Sequence, residues 1–513
     1  MGREGVHEPN LEALSDADAL DVIARLIDTA IDAHDLTLVD QALAIADQLE
    51  ARGLCPEEQA LLDYFRSNGW ACRYQSRYRA RDALWDFEQP EIQQQVLLLR
   101  RAAHGAGFET MNAIRRCQIL TNLGNQLDAL GRFVEARACW NAALFIEPRF
   151  WMARANRGRG LMFYAAALYD PGHQGVFAYR AHGDLVEALE LIDKYPQLGD
   201  SRLREVFEPA AEQILRHYDL KAIHQTYRPD DWPIGEEPAE QEYRRWCLTK
   251  TLFLNPLNDV DAVPIAARDA LCLPDFVLPA GEPPVVTGMF NELKQLFASA
   301  RWILWEGLHG ERDHFSDRDV ALFNTLDYPS YGLSVEKVKA AFRLSYSIFD
   351  KIAYFLNHYL GLGVAEHRVS FKTIWREKDN GPLRDPIAMS ENWPLRGLYW
   401  LSKDLFEEGM KNSMEPQARA LAELRNHLEH KYVKVHEFSV SSSGNGDPFR
   451  DTLAYSLTRF DLEQKTLRLL QLVRSALVYL SLAMHQEERR RAKERSGLSA
   501  PMLLDVWRDE WKR

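Results

Sequence analysis

Apolar residues recur every three or four positions over most of this chain, and this periodicity constrains its fold more than any other feature. Such spacing gathers side chains on one face of an α-helix. Comparable stripes lie at 289–304 and 467–480, and a fourth long helix is expected at 421–437. The pattern predicts an all-α protein with a bundle of four long helices. The longest uninterrupted seam is Val335, Val338, Phe342, Ser345, Phe349, Ile352, Leu356 and Tyr359.

The first half of the chain is predicted to form stacked helical hairpins. Residues 1–100 carry helix-period stretches separated by short breaks such as Arg52-Gly53, and residues 101–220 are expected to form repeats similar to the tetratricopeptide repeat. In that motif small residues let two antiparallel helices approach closely, and a proline closes the second helix. The residues that match its order and spacing are Leu120, Leu123, Gly124, Leu127, Gly131, Phe133, Ala136, Trp140, Ala143 and Pro148.

Two interpretations of these repeats remain open from the sequence. A solenoid exposes a concave face, so the repeats are candidates for a surface that binds a protein partner or senses a trigger. Alternatively, they are ordinary helical hairpins that pack on the rest of the protein.

A proline-rich stretch separates the two halves. Nine of the 23 prolines fall between Pro229 and Pro284, which excludes a long helix there. Apolar segments such as Leu252-Phe-Leu-Asn-Pro-Leu predict that residues 221–285 form a packed linker that is largely extended. Residues 286–513 then form the bundle domain. A loop-rich insertion at 363–416 contains a helix near 395–406, and a β-hairpin is expected at 438–458, turning at Ser441-Ser-Ser-Gly-Asn-Gly.

The composition and charge of the chain limit the classes of protein to which it can belong. A formal net charge of -13 argues against a protein that coats nucleic acid non-specifically, so any RNA contact should be local. The first residues lack the apolar region of a signal peptide, and polar residues such as Arg468 and Arg474 interrupt the longest apolar stretch. These features predict a cytoplasmic protein without a membrane span. The six scattered cysteines are expected to be free thiols.

One predicted helical segment carries residues of the types used in catalysis and phosphate binding. At about 100° per residue, Leu421, Leu424, Leu428, Tyr432 and Val435 gather on the side expected to face the bundle. Arg425, Asn426, Glu429 and His430 fall on a different arc. A permanently charged guanidinium and a titratable imidazole therefore share a surface without being needed in the core. We expect this arrangement to form a phosphate site.

On these residues the chain resembles the HEPN superfamily, whose nucleases carry an arginine, a polar residue and a histidine as Arg-x(4–6)-His on the third bundle helix. Arg425 and His430 are the one pair in the chain with that spacing, and Asn426 supplies the polar residue. The resemblance covers residues 285–495, and extends loosely upstream to large bacterial HEPN proteins with a repeat-like N-terminal half.

The resemblance implies a homodimer that cleaves RNA without a metal or other cofactor. Two copies of the helix would pool their Arg425 and His430 side chains in one cleft. His430 would take the proton from a ribose 2′-OH, Arg425 would stabilise charge on the phosphate, and Asn426 would fix the phosphate or the imidazole tautomer. It also suggests a toxin or phage-defence effector whose repeats sense a trigger. The other interpretation is a catalytically inactive scaffold that binds protein or nucleic acid.

Weaker candidates lie nearby. Glu429 and His436 are possible accessory residues, because both are expected on the Arg425 side of one long helix. If the site is not catalytic, Arg425 and Glu429 are instead expected to form an ordinary ion pair four residues apart. No phosphate-binding loop, zinc-protease motif or nucleophile elbow occurs in the sequence, so the corresponding enzyme classes are not supported.

Overall fold

The computed structural model describes residues 14–77, 85–279, 281–311, 313–406, 418–438, 451, 453–496, 500 and 504–512. Over these residues the protein is all-α with a single two-stranded sheet, as the apolar periodicity predicts. The first half contains α1 (Asp16–Ala33), α2 (Leu36–Glu50), α3 (Pro56–Arg77), α4 (Pro90–His104), α5 (Ala113–Ala129), α6 (Phe133–Ile146), α7 (Trp151–Ala167), α8 (Pro171–Lys194), α9 (Arg204–His217), α10 (Leu220–Thr226), α11 (Pro238–Thr249) and α12 (Leu257–Val260).

The α5–α6 hairpin has the close helix contact that small residues permit. A Cβ built on Gly124 would lie 2.6 Å from the indole nitrogen of Trp140, so only glycine lets the two helices approach this far. Leu123, Leu127 and Ala136 are buried in the same contact region. The residues selected from the repeat pattern therefore do form a tightly packed hairpin.

The second half is built on α13 (Val285–His309), α14 (Leu333–Tyr359), α15 (Asp385–Ala388), α16 (Trp393–Phe406), α17 (Ala418–His430) and α18 (Arg459–Glu494). The long helices α13, α14 and α18 pack on one another, and the shorter α16 and α17 complete the bundle. The predicted seam of α14 is buried from Val335 to Leu356. The helix expected near 395–406 is α16, and it is buried along nearly its whole length.

Two expectations about the segment after Leu428 are wrong. The helix expected to reach residue 437 ends at His430, and the chain continues as strand β1 (Tyr432–His436). The partner strand, β2 (Ala454–Thr458), runs parallel to β1, with Tyr432 opposite Ala454. A hairpin requires antiparallel strands, so the pair is not a β-hairpin. Valine and tyrosine favour extended backbone. The apolar residues of this segment also fit a helical spacing, and for that reason the sequence indicated a helix. The expected turn at Ser441–Gly446 lies outside the described residues.

The N-terminal hairpins pack directly on the bundle through α16. The buried Asp404 carboxylate accepts hydrogen bonds from Arg100 (2.7 Å) and Arg132 (2.5 Å), which lie on α4 and just before α6. Gly131, with φ 85°, brings its carbonyl oxygen to 2.1 Å from the position that a Cβ on Gly397 would occupy. This backbone contact and the buried charges join the two halves, so this face of the repeats packs on the protein itself.

The proline-rich stretch is packed, but it is not wholly extended. It contains the 12-residue helix α11 together with α12, and Leu252, Leu254 and Leu257 are buried. Arg474 of α18 donates to Asp259 at 2.6 Å and to the carbonyl oxygens of Phe253 and Asn255. The linker therefore forms one wall of the core.

One described helix, α18, has the length and apolar content of a membrane span, with a mean hydropathy of 1.4 in its most apolar window. Within the protein 83% of that window is buried. A central core helix has the same properties, so this feature is weak evidence for a span.

Candidate active site

Helix α17 holds the predicted site residues on the surface of the bundle. Leu421, Leu424 and Leu428 are buried and attach one side of the helix to α14 and α16. Arg425 is half-buried, and Asn426 and His430 are exposed. The arc of polar residues therefore points away from the core, as the helical spacing predicts.

The Arg425 guanidinium is held against the neighbouring helix. Its central carbon lies 5.4 Å from the centre of the Tyr346 ring on α14, within cation–π range. A side-chain nitrogen of Arg425 also approaches the Asn426 amide oxygen at 3.5 Å. Burial raises the pKa of the Tyr346 phenol above its ordinary value of 10, while the Arg425 charge opposes that shift. Among the described residues no carboxylate pairs with Arg425.

His430 is the last residue of α17, and its imidazole is exposed to solvent. Five residues of helix separate it from Arg425, which corresponds to about 7.5 Å along the axis and about 140° around it. Such a separation keeps the two side chains of one chain from converging on a single atom.

Glu429 interacts with α14 instead of with Arg425. Its carboxylate lies 3.8 Å from a guanidinium nitrogen of Arg343, and the same guanidinium donates to the carbonyl oxygen of Leu428 at 2.7 Å. Among the described ion pairs none joins Arg425 to Glu429, so the expected structural pair does not form. Arg343 satisfies a carbonyl in the last turn of α17, where helix carbonyls lack partners.

The two remaining histidines of this segment do not contribute to the arc. His436 ends strand β1, so the expectation that it returns to the Arg425 side of a continuous helix is wrong. His427 is engaged, because its Nδ1 lies 2.8 Å from the Glu423 carbonyl oxygen and its ring lies 5.2 Å from that of Tyr455.

Sequence reasoning missed Arg343 and Tyr346 as neighbours of the site. Both lie on α14 beside the apolar seam, three residues apart, and therefore point to one side of it. The sequence signal that could have identified them is an arginine and a tyrosine beside the buried stripe of α14. Which helix they face depends on tertiary packing, and periodicity alone does not give it.

Across the described residues, no group of three or more histidine, cysteine, aspartate or glutamate side chains is arranged to hold a metal ion. The chemistry that this surface offers is proton transfer by imidazole and charge stabilisation by guanidinium.

Comparison with known proteins gives one family. Residues 278–487 match the model of the LA2681-like HEPN family, a range that contains α13 to α17 and most of α18. No curated protein and no solved structure matches the chain. HEPN domains are often ribonucleases, so the match favours a nuclease-type or related function for this part of the chain. The C-terminal part of this protein, over residues 278–487, is a HEPN domain of the LA2681-like kind.

Proposed function

We propose that the protein is a metal-independent endoribonuclease that acts as a homodimer through its HEPN domain, with Arg425, Asn426 and His430 as the catalytic residues. The observation that carries the proposal is the exposed arc of α17. It presents a guanidinium without a carboxylate partner among the described residues and a solvent-facing imidazole, neither of which fills the core.

The proposed reaction is internal transesterification of RNA. The imidazole of one His430 takes the proton of a ribose 2′-OH, and the 2′-oxygen attacks the adjacent phosphorus. The bond from phosphorus to the 5′-oxygen breaks, and the His430 of the second copy protonates that leaving oxygen. Arg425 stabilises negative charge on the phosphate oxygens, and Asn426 orients the phosphate. The products are a 2′,3′-cyclic phosphate and a 5′-hydroxyl.

The fold supports the positioning that this reaction needs. Tyr346 holds the Arg425 guanidinium in place, and Arg343 holds the last turn of α17 through the Leu428 carbonyl. A side chain held in place before the substrate binds loses less conformational freedom in the transition state. Both supports come from α14, which is anchored by its buried seam.

The test is cleavage of total RNA by the purified full-length protein in excess EDTA. We expect cleavage to persist and to leave 2′,3′-cyclic phosphate ends. Loss of a general base costs roughly 10²- to 10⁴-fold in rate, and loss of a group that stabilises charge in the transition state costs roughly 10²- to 10³-fold. His430→Ala and Arg425→Ala should therefore each reduce cleavage by at least about 100-fold.

Matched variants on the same helix separate chemistry from folding. His427→Ala removes a histidine whose ring contacts the Glu423 carbonyl oxygen, and Arg419→Ala removes an exposed arginine paired with Glu423. Both should keep cleaving. Undiminished cleavage by the His430→Ala protein, or a requirement for divalent metal, would contradict the proposal.

We further propose that the enzyme is a cytoplasmic toxin or defence effector whose repeat-like half binds a partner or a trigger. Expression of the wild-type protein should then slow growth, and His430→Ala should relieve the toxicity without loss of soluble protein. The alternative is an inactive HEPN scaffold, which is favoured by the separation of Arg425 and His430 within one chain. A protein that is monomeric and leaves RNA intact would support that alternative.

A further inference from the structure

A second basic site lies beside the HEPN bundle, in a cavity of about 1170 Å³. Its walls come from the loop that follows α14, between Val364 and Arg384, and from the C-terminal half of α16. Six lysine and arginine residues line it, against the two acidic residues Glu377 and Asp379. In a chain with a net charge of -13 this local excess of positive charge is unusual, and a concave surface concentrates its field.

Three of the six cations are engaged within the protein. Lys403 donates to Glu88 at 2.9 Å, Arg376 pairs with the same carboxylate, and Arg384 donates to the Ile374 carbonyl oxygen at 3.0 Å. Burial opposes ionisation of Glu88, but Lys403 and the other hydrogen-bond donors around it lower its pKa below the ordinary value. Glu88 is therefore a fixed negative charge that pairs with Lys403 and Arg376 at the base of the cavity.

The other three cations, Arg368, Lys372 and Lys378, are exposed along the cavity. Their side chains make no ion pair or hydrogen bond with any residue that the structure describes. An unpaired cation at a cavity wall costs little when it is hydrated, and it is free to bind an anion. Three of them lining one cavity make a surface suited to several negative charges.

The floor beneath these cations is buried and hydrogen-bonded. Trp375 and Tyr399 are each 1% exposed, and the Trp375 indole donates to the Phe371 carbonyl oxygen at 2.8 Å. Arg376 donates to the Gly381 carbonyl oxygen at 2.7 Å and thereby closes the loop on itself. These contacts anchor the loop that carries the three cations.

The cavity adjoins the candidate active site. Phe406 lines the cavity, and its ring lies 5.9 Å from that of Tyr346, on which the Arg425 guanidinium rests at 5.4 Å. Two contacts therefore separate the cavity wall from the proposed catalytic arginine.

From these observations we propose that the cavity binds the backbone of single-stranded RNA next to the bond that is cut, through Arg368, Lys372 and Lys378. The inference rests on the proposed function, because it states where the substrate strand lies. The cavity volume of about 1170 Å³ exceeds the roughly 300–1,000 Å³ of typical small-molecule sites, and its three free cations come from separate positions of the lining loop, at residues 368, 372 and 378. Both features favour a strand over a mononucleotide.

The experiment measures binding of a fluorescent 2′-O-methyl RNA 12-mer by fluorescence anisotropy at several KCl concentrations. This strand has no 2′-OH nucleophile, so binding is read without cleavage. The variant R368A/K372A/K378A should raise Kd at least tenfold at 100 mM KCl. Its slope of log affinity against log salt should fall by about two, since each phosphate contact contributes about 0.7 for a single strand.

The control variant K194A/K221A/K250A removes the same charge from exposed lysines that pair with no described carboxylate, and it should bind within twofold of wild type. Unchanged affinity and salt slope in the cavity variant would overturn the inference. Failure of the wild-type protein to bind the strand would also overturn the inference. The same holds if the cavity variant binds a fluorescent ATP analogue more weakly than wild type but binds the RNA strand with unchanged affinity.

The same proteins separate this inference from the proposed function. If the strand binds through the three cations while natural RNA stays intact, the ribonuclease proposal fails alone. If the cavity variant cuts natural RNA with the KM of wild type, the cavity inference fails alone.

Discussion

Asp128, near the end of α5, has a carboxyl group in surroundings that disfavour its charge. The residue is half-buried, but its Oδ1 is fully buried and accepts no hydrogen bond from the described residues. Burial raises the pKa of this carboxyl from 3.8 to about 7, and the charges of Arg159 and Arg396 only partly oppose the shift. The folded protein therefore binds a proton here that the unfolded chain has already lost above pH 4.

Asp128→Asn should remove this pH dependence. Wild-type stability should fall as pH rises from about 4 through about 7, because deprotonation leaves a buried, poorly compensated charge. The uncharged amide avoids that cost, so the gain in unfolding free energy should be on the order of 2 kcal/mol larger at pH 8 than at pH 5. Urea unfolding at the two pH values measures the difference, and an equal effect at both would contradict the raised pKa.

At the scale of elements, α17 shows how much depends on one short helix. It has 13 residues, too few to be stable alone, and three buried leucines hold it to the bundle. Its C-terminal turn, which ends in His430, is fastened by Arg343 through the Leu428 carbonyl oxygen. The position of the proposed catalytic imidazole therefore depends on a residue of another helix.

Arg343→Ala should loosen the end of α17. Because the Arg343 side chain is 44% exposed, we expect a loss of only about 0.5–1 kcal/mol, which corresponds to amide exchange roughly two- to fivefold faster near residues 427–431. Hydrogen exchange read by mass spectrometry on peptides spanning 424–434 measures this. Arg419→Ala, which breaks an exposed pair in the first turn of α17, is the matched control. Exchange at wild-type rates in Arg343→Ala would argue against the fastening role.

For the whole molecule, the decisive feature is the buried charge cluster between the two halves. Asp404 of α16 binds Arg100 and Arg132, while Glu135 binds Arg132 and also accepts a hydrogen bond from Tyr479 of α18. Burial disfavours the charge of Arg132, but Glu135 and Asp404 raise its pKa well above the ordinary value. These partners lie on α4, α6, α16 and α18, so they couple the repeat-like half to the HEPN domain.

Asp404→Ala should strongly destabilise this junction. It leaves two guanidinium groups buried beside each other with less counter-charge, a change that typically costs about 3–5 kcal/mol. Denaturant unfolding should begin at clearly lower urea, and limited proteolysis should separate the two halves. Asp385→Ala, an exposed aspartate in the same half of the chain, should change stability by less than about 0.5 kcal/mol. A loss below 1 kcal/mol in Asp404→Ala would mean that the cluster contributes little to docking.

The spacing of apolar residues in the sequence determined which helices form and which of their faces are buried. The seam of α14 and the buried leucines of α17 follow from a 3.6-residue period, which any helix must express. The close contact of Gly124 with Trp140 follows from the repeat pattern, because a small residue is needed where two helices approach closely. The exposed arc with Arg425, Asn426 and His430 follows from the same period, although their catalytic role remains a prediction.

Only the tertiary structure decided the rest. Residues 432–436 fit a helical stripe as well as a strand, and pairing with β2 selected the strand, in parallel register. The contacts of Arg425 with Tyr346, of Glu429 with Arg343, and of Asp404 with the repeat-like half join residues from 79 to 304 positions apart in the chain. Periodicity records which face of a helix is buried, but not which neighbour covers it, because that depends on how all the buried faces pack together.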